Sequence, residues 1–116
     1  MYYRKLGNTG LEVSEISFGT IPILQGNIPV LPDYFNLDET DALAVMAHAY
    51  ELGCNLYDTA IVPEYGDAEI KLGKFAAHVG REHIILSDKA RFFGGSEMYR
   101  AVETSCENLG TTPDLY

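Results

Sequence analysis

Apolar residues recur at helical spacing in three stretches of this chain, each bounded by residues that start and stop helices. In the first, Leu43, Met46, Ala47 and Tyr50 share a face, Asp38 stands before them as an N-cap, and Gly53 supplies a left-handed stop. The second is predicted over 67–79, with Ala68, Leu72, Phe75, Ala76 and Val79 on one stripe, Lys71 and Lys74 facing elsewhere, and Gly80 following. The third opens at Ser96 as N-cap, carries Met98, Ala101, Val102, Ser105 and Leu109 on one face, and ends at Gly110.

Between the helices lie short apolar runs at 16–18, 55–57 and 84–86. They are too short for helices and lack the alternation of a sheet with one wet face, so they read as buried parallel strands. Strand and helix alternating every roughly 30 to 40 residues predict consecutive βαβ units and an α/β fold. Two segments depart from this rhythm. Residues 3–14, centred on Gly7-Asn8-Thr9-Gly10, predict a β-hairpin whose turn uses the glycines and Asn8 for positive φ. Residues 22–33, punctuated by Pro22, Gly26, Pro29 and Pro32, form a long loop after the first strand. Loops beyond about 12 residues are commonly functional, which makes this one a candidate substrate or cofactor flap; a solvated insertion without ligand contact is the alternative.

Composition narrows the function classes. The chain has 116 residues, 47% of them hydrophobic, enough for one globular core. Its net charge of -9, from 17 acidic against 8 basic residues, argues against a nucleic-acid groove, which needs clustered Lys and Arg. No apolar run approaches the roughly 20 residues of a spanning helix, and Met1-Tyr2-Tyr3-Arg4-Lys5 lacks a signal peptide's apolar segment, so no membrane partner and a cytoplasmic location are expected. Cys54 and Cys106 have neither Cys-x-x-Cys nor Cys/His spacing and read as structural thiols, with no metal site expected.

The chemistry-bearing residues fall where strands hand over to loops. Asp58 closes the second strand, Tyr65 lies in the loop after it, and Lys89 closes the third. In parallel α/β barrels such positions gather at one mouth, and neighbouring strands about 4.8 Å apart put Asp58 and Lys89 within pairing reach. A phenol, titrating near pH 10, donates a proton at neutral pH only if its anion is stabilised, which a lysine ammonium can do. That ammonium in turn needs a counter-ion when it leaves water. Each residue alone has a plainer reading: Asp58 as a strand-end cap, Tyr65 as a packing ring, Lys89 as a surface lysine. The joint order favours the chemical reading.

The local sequences Tyr57-Asp58-Thr59-Ala60, Tyr65-Gly66-Asp67-Ala68-Glu69 with Leu72-Gly73, and Leu86-Ser87-Asp88-Lys89 resemble the aldo-keto reductase superfamily. The likeness begins at 3–14, similar to that family's N-terminal hairpin, and continues through Ile16-Ser17-Phe18-Gly19-Thr20, similar to its first barrel strand. It reaches Thr112-Pro113-Asp114-Leu115-Tyr116, similar to the start of its fourth strand. The resemblance implies one unit over 1–116, an incomplete (β/α)8 barrel with the hairpin, three βα units and the beginning of a fourth strand. It also implies an NADPH-dependent oxidoreductase acting on aldehydes and ketones. Tyr65 would be the proton donor, Lys89 its tuner and Asp58 the anchor of Lys89. Asp58 would also contact the cofactor's nicotinamide ribose, with Gly19 and Thr20 beside the nicotinamide end. No Gly-x-Gly-x-x-Gly fingerprint occurs, which fits a family that lays its cofactor across a barrel mouth. The opening Tyr3-Arg4-Lys5-Leu6-Gly7 with Gly19-Thr20-Ile21-Pro22 also looks like a prokaryotic branch, some members of which append an iron-sulfur region.

Two departures matter for the site. Six residues, 59–64, separate Asp58 from Tyr65 where the family has four, and Ile21 stands where an aromatic is common. Pro63 favours a local turn in which the added length bulges outward; the alternative is that it carries the Tyr65 hydroxyl away from Lys89. None of His48, His78 and His83 matches the family's catalytic histidine, and a complete barrel takes about 250 residues. The expectation is therefore weak or absent activity and poor NADPH affinity for these residues alone, with open sheet edges that favour self-association. The alternative is a non-enzymatic half-barrel remnant acting as an oligomerising or binding module.

Overall fold

A computed structural model describes residues 1–26, 36–91 and 94–116. The segment 3–14 forms the expected hairpin, with β1 (Tyr3–Lys5) antiparallel to β2 (Glu12–Ser14) and Tyr3 opposite Ser14. Gly7 and Gly10 take positive φ in its turn, at 52° and 82°, a region that glycine enters without a Cβ penalty. Asn8 does not join them, contrary to expectation, since no described non-glycine residue has positive φ. Thr9 ties the turn instead: its Oγ1 donates to the Leu6 carbonyl at 2.6 Å and accepts from the Leu11 N–H at 3.2 Å.

Three parallel strands follow in the order β3 (Phe18–Gly19), β4 (Leu56–Asp58) and β5 (Ile85–Ser87). Gly19 lies opposite Asp58, and Asp58 opposite Ser87. Leu115 makes a parallel bridge to Ser87, the beginning of a fourth ladder. Each strand starts one or two residues later than the apolar runs suggest, because neighbouring groups occupy the backbone at their starts. The Ile16 carbonyl accepts from Ser14 Oγ at 2.7 Å and from Cys54 Sγ at 3.4 Å, and the Ile84 carbonyl accepts from the Arg81 guanidinium at 2.9 Å. Ile16 is accordingly 66% exposed rather than buried.

Helices α1 (Glu39–Glu51), α2 (Ala68–Val79) and α3 (Gly95–Leu109) alternate with these strands. The Asp38 side chain accepts from the Asp41 N–H at 2.9 Å, as its N-cap reading requires. Helix α3 begins after Gly94 instead of Ser96, which sits inside the first turn. The core joins Met46, Tyr57, Leu72, Phe75, Ala76, Ile84, Leu86 and Leu109. The Tyr57 and Phe75 rings are 5.1 Å apart, and the buried Tyr57 hydroxyl donates to the Met46 carbonyl at 3.1 Å, while burial raises its pKa. A Cβ on Gly73 would lie 2.3 Å from the Leu109 carbonyl oxygen, so this glycine permits the close approach of α2 and α3.

The arrangement is part of a (β/α)8 barrel with an open sheet. Among the described residues β3 is paired on one side only. Residues 27–35, which include Pro29, Pro32 and most of the candidate flap, lie outside the described residues. The stem of that loop is anchored by Lys71, which corrects the expectation that this lysine faces away from the core. Its side chain is 2% exposed and pairs with Asp67 at 3.1 Å. The ammonium donates to the Ile23 carbonyl at 2.8 Å and the Leu37 carbonyl at 2.6 Å. The need of these loop carbonyls for a donor explains why a charge lies on the helix's buried side.

Candidate active site

Parallel register carries Asp58 and Lys89 to the same end of the sheet. The Lys89 ammonium lies 2.6 Å from Asp58 Oδ2 and donates also to the Thr59 carbonyl at 2.8 Å. Ser87, two residues before Lys89, donates from Oγ to Asp58 Oδ1 at 2.9 Å. Both carboxylate oxygens are therefore engaged, one from the end of β5 and one from the residues just after it, which fixes the carboxylate plane. The pair remains open to ligand, with side-chain exposures of 49% for Lys89 and 36% for Asp58.

Tyr65 closes a short 3-10 turn, Pro63–Tyr65, in which the Tyr65 N–H donates to the Val62 carbonyl at 2.9 Å and the following Gly66 N–H to the Pro63 carbonyl at 3.2 Å. The preceding backbone continues the sheet: the Ile61 N–H donates to the Lys89 carbonyl at 3.0 Å. Glu64 pairs with Arg91, tying this loop to the one after β5. These contacts pull the Glu64 carboxyl below its usual range, with its own backbone hydrogen bond first and Arg91 second. The half-buried Tyr65 ring has the Lys89 ammonium over it, 5.3 Å from the centroid, a cation–π arrangement. The longer Asp58–Tyr65 spacing thus winds into the turn, and the ring stays beside Lys89.

Gly19 and Thr20 occupy the end of β3. Thr20 is fully buried, its N–H donates to the Asp58 carbonyl at 2.9 Å, and its Oγ1 has no partner, as is true of Thr59 Oγ1. A Cβ added at Gly19 would meet nothing within 4 Å. Ile21 follows half-buried in a short 3-10 turn, Ile21–Ile23.

Sequence reasoning missed a second polar group behind the first. Asp88 and Glu69 are buried on the helix side of β5, beside Ser105 and Asn108 of α3. The signal was present: strand side chains alternate between faces, so a carboxylate between Ser87 and Lys89 points toward the helices, where an apolar residue is expected. Cys54 is buried and Cys106 half-buried, and both are free thiols. No group of three or more His, Cys, Asp or Glu among the described residues could hold a metal ion, and no helix among them is long and apolar enough to cross a membrane.

The sequence profile of the Aldo/keto reductase family matches residues 15–116. L-galactose dehydrogenase of Arabidopsis thaliana is 35% identical over 116 residues, covering 91% of this chain and 34% of that protein. Among solved structures, the holo form of an aldo-keto reductase from Bacillus halodurans superposes with a TM-score of 0.75 at 32% identity, over 96% of this chain and 37% of that one. An aldo-keto reductase of Klebsiella pneumoniae in complex with NADPH shares the fold at a TM-score of 0.67 and 24% identity, over 88% of this chain and 33% of that one. The chain thus spans about a third of the length of each of these three proteins.

Proposed function

Because this chain belongs to the Aldo/keto reductase family, we propose that Asp58, Tyr65 and Lys89 contribute the proton-delivering half of a carbonyl-reducing site. The substrates are small aldehydes or ketones, reduced to alcohols. Tyr65 hands its hydroxyl proton to the carbonyl oxygen as negative charge develops there. Lys89, held over the ring, stabilises the phenolate left behind. Asp58 keeps that ammonium charged and fixed, and Ser87 fixes Asp58. The observation that carries this reading is the triple placement of the Lys89 ammonium, 2.6 Å from Asp58, 2.8 Å from the Thr59 carbonyl and over the Tyr65 ring.

The residues present fit the nicotinamide end of a dinucleotide cofactor. Thr20 Oγ1 is a buried hydroxyl lacking a partner at the strand end, and the space over Gly19 is open for a flat group. Asp58, 36% exposed, keeps lone pairs for a ribose hydroxyl. When bound, such a cofactor supplies the hydride that reaches the carbonyl carbon. Gly19, Thr20 and Asp58 would hold its nicotinamide end.

NADPH-dependent reduction of an aldehyde panel tests the assignment, measured for these residues alone and for a form joined to the later barrel strands of a relative. The joined form is expected to turn over at least one aldehyde, with far less turnover by residues 1–116 alone. A joined form that binds NADPH and reduces no carbonyl overturns the reading. The one-sided pairing of β3 favours a second reading, a half-barrel module that self-associates through its sheet edge. Light scattering separates the two, since a monodisperse monomer contradicts the module.

A further inference from the structure

Two carboxylates are buried together behind Lys89. Asp88 is 3% exposed and Glu69 4%. One oxygen of each is committed as an acceptor: Asp88 Oδ1 takes the Lys89 N–H at 2.7 Å, and Glu69 Oε2 takes Asn108 Nδ2 at 2.8 Å. The remaining two, Asp88 Oδ2 and Glu69 Oε1, are buried without a partner. Geometry sets both acids at one face of α3: the Asp88 N–H donates to the Leu115 carbonyl at 2.9 Å, the adjoining Tyr116 hydroxyl lies 3.2 Å from Ser105 Oγ, and Ser105 is one turn before the Asn108 that holds Glu69. The other groups beside them are Ser105 and Asn108 of α3 and Tyr116, and no salt bridge among the described residues involves either carboxylate, so no cation compensates the pair.

Two ionised carboxylates in this setting repel each other and forfeit their hydration. A single proton resolves both difficulties. Placed between the two orphan oxygens, it makes one a donor and the other an acceptor, and it removes one of the two charges.

We infer that Glu69 and Asp88 share one proton between Glu69 Oε1 and Asp88 Oδ2, and that this acid pair is a positioning element holding the backbone at Lys89. The positioning role rests on the reductase reading for its purpose, whereas the shared proton is a property of the fold. Burial is the largest cause that pushes Asp88 from its ordinary 3.8 up to about 7, and Glu69 adds to it. The folded chain therefore holds a proton that the unfolded chain has released between those two values. Stability is greatest below the lower value and is lost as pH rises toward the upper one, with the unfolding constant growing about tenfold per pH unit across the window.

The test follows thermal unfolding of the chain and hydrogen exchange of the Lys89 amide from about pH 5 to about pH 8. Wild type is expected to lose thermal stability and Lys89 amide protection together over that range, and to show a protonated-carboxyl C=O band in the infrared near the acidic end. Asp88→Asn keeps an oxygen for the Lys89 N–H and supplies a permanent donor toward Glu69. It should flatten both profiles and abolish the band. Glu69→Gln repeats the substitution from the other side should Asp88→Asn fail to fold. Equal pH profiles in wild type and variant, or no such band in wild type, overturn the shared proton. Lys89 protection that ignores the pair's titration overturns the positioning role. None of these readouts involves turnover, so they stand apart from failure of the reductase reading.

Discussion

Asp58 and Lys89 are 31 residues apart in the chain and meet at 2.6 Å across two neighbouring parallel strands. The contact follows from register alone, since Asp58 stands opposite Ser87 and Lys89 is the next residue on that face.

Asp58→Asn is expected to leave the fold nearly unchanged and to cripple the proton step. The pair is about half exposed, so its contribution to stability is about 0–1 kcal/mol. Turnover in a form joined to the remaining barrel strands should fall by about 10²-fold or more, as expected when a proton donor loses its support. Steady-state kinetics beside a urea titration separate the two effects.

Lys71→Met should cost about 2–3 kcal/mol, because it leaves the Ile23 and Leu37 carbonyls without their side-chain donor and Asp67 without its cation, though Asp67 keeps the Gln25 N–H. Urea unfolding followed by circular dichroism checks the value. Lys74→Met, one turn further along α2, removes only an exposed pair with Glu39 and should change stability by less than about 1 kcal/mol.

Gly73→Ala places a methyl group 2.3 Å from the Leu109 carbonyl oxygen, which is backbone and cannot rotate away. Helices α2 and α3 must separate, at an expected cost of about 1–3 kcal/mol. A lowered thermal midpoint is the readout.

The helices and the pairing of Asp58 with Lys89 were legible in the sequence because caps, periodicity and the register of short parallel strands determine them. Asp38 caps α1 by its own side chain, and the register of short parallel strands brings Asp58 beside Lys89. What escaped reading depends on contacts far along the chain. Lys71 has the spacing of a solvent-facing lysine on α2, yet it answers carbonyls 48 and 34 residues away. Asp88 carries no local signal of its surroundings, which are set by Glu69 of α2 and by α3, both distant in the chain. The start of β3 was displaced in part for a similar reason, since Cys54, 38 residues on, claims the Ile16 carbonyl.

The most direct test of proton delivery by this site is the turnover of Tyr65→Phe, which deletes one hydroxyl and keeps the ring beneath Lys89. In a form joined to the later barrel strands, aldehyde reduction is expected to fall by about 10²- to 10⁴-fold with NADPH binding unchanged. Turnover equal to that of the parent would contradict the assignment of Tyr65 as the proton donor.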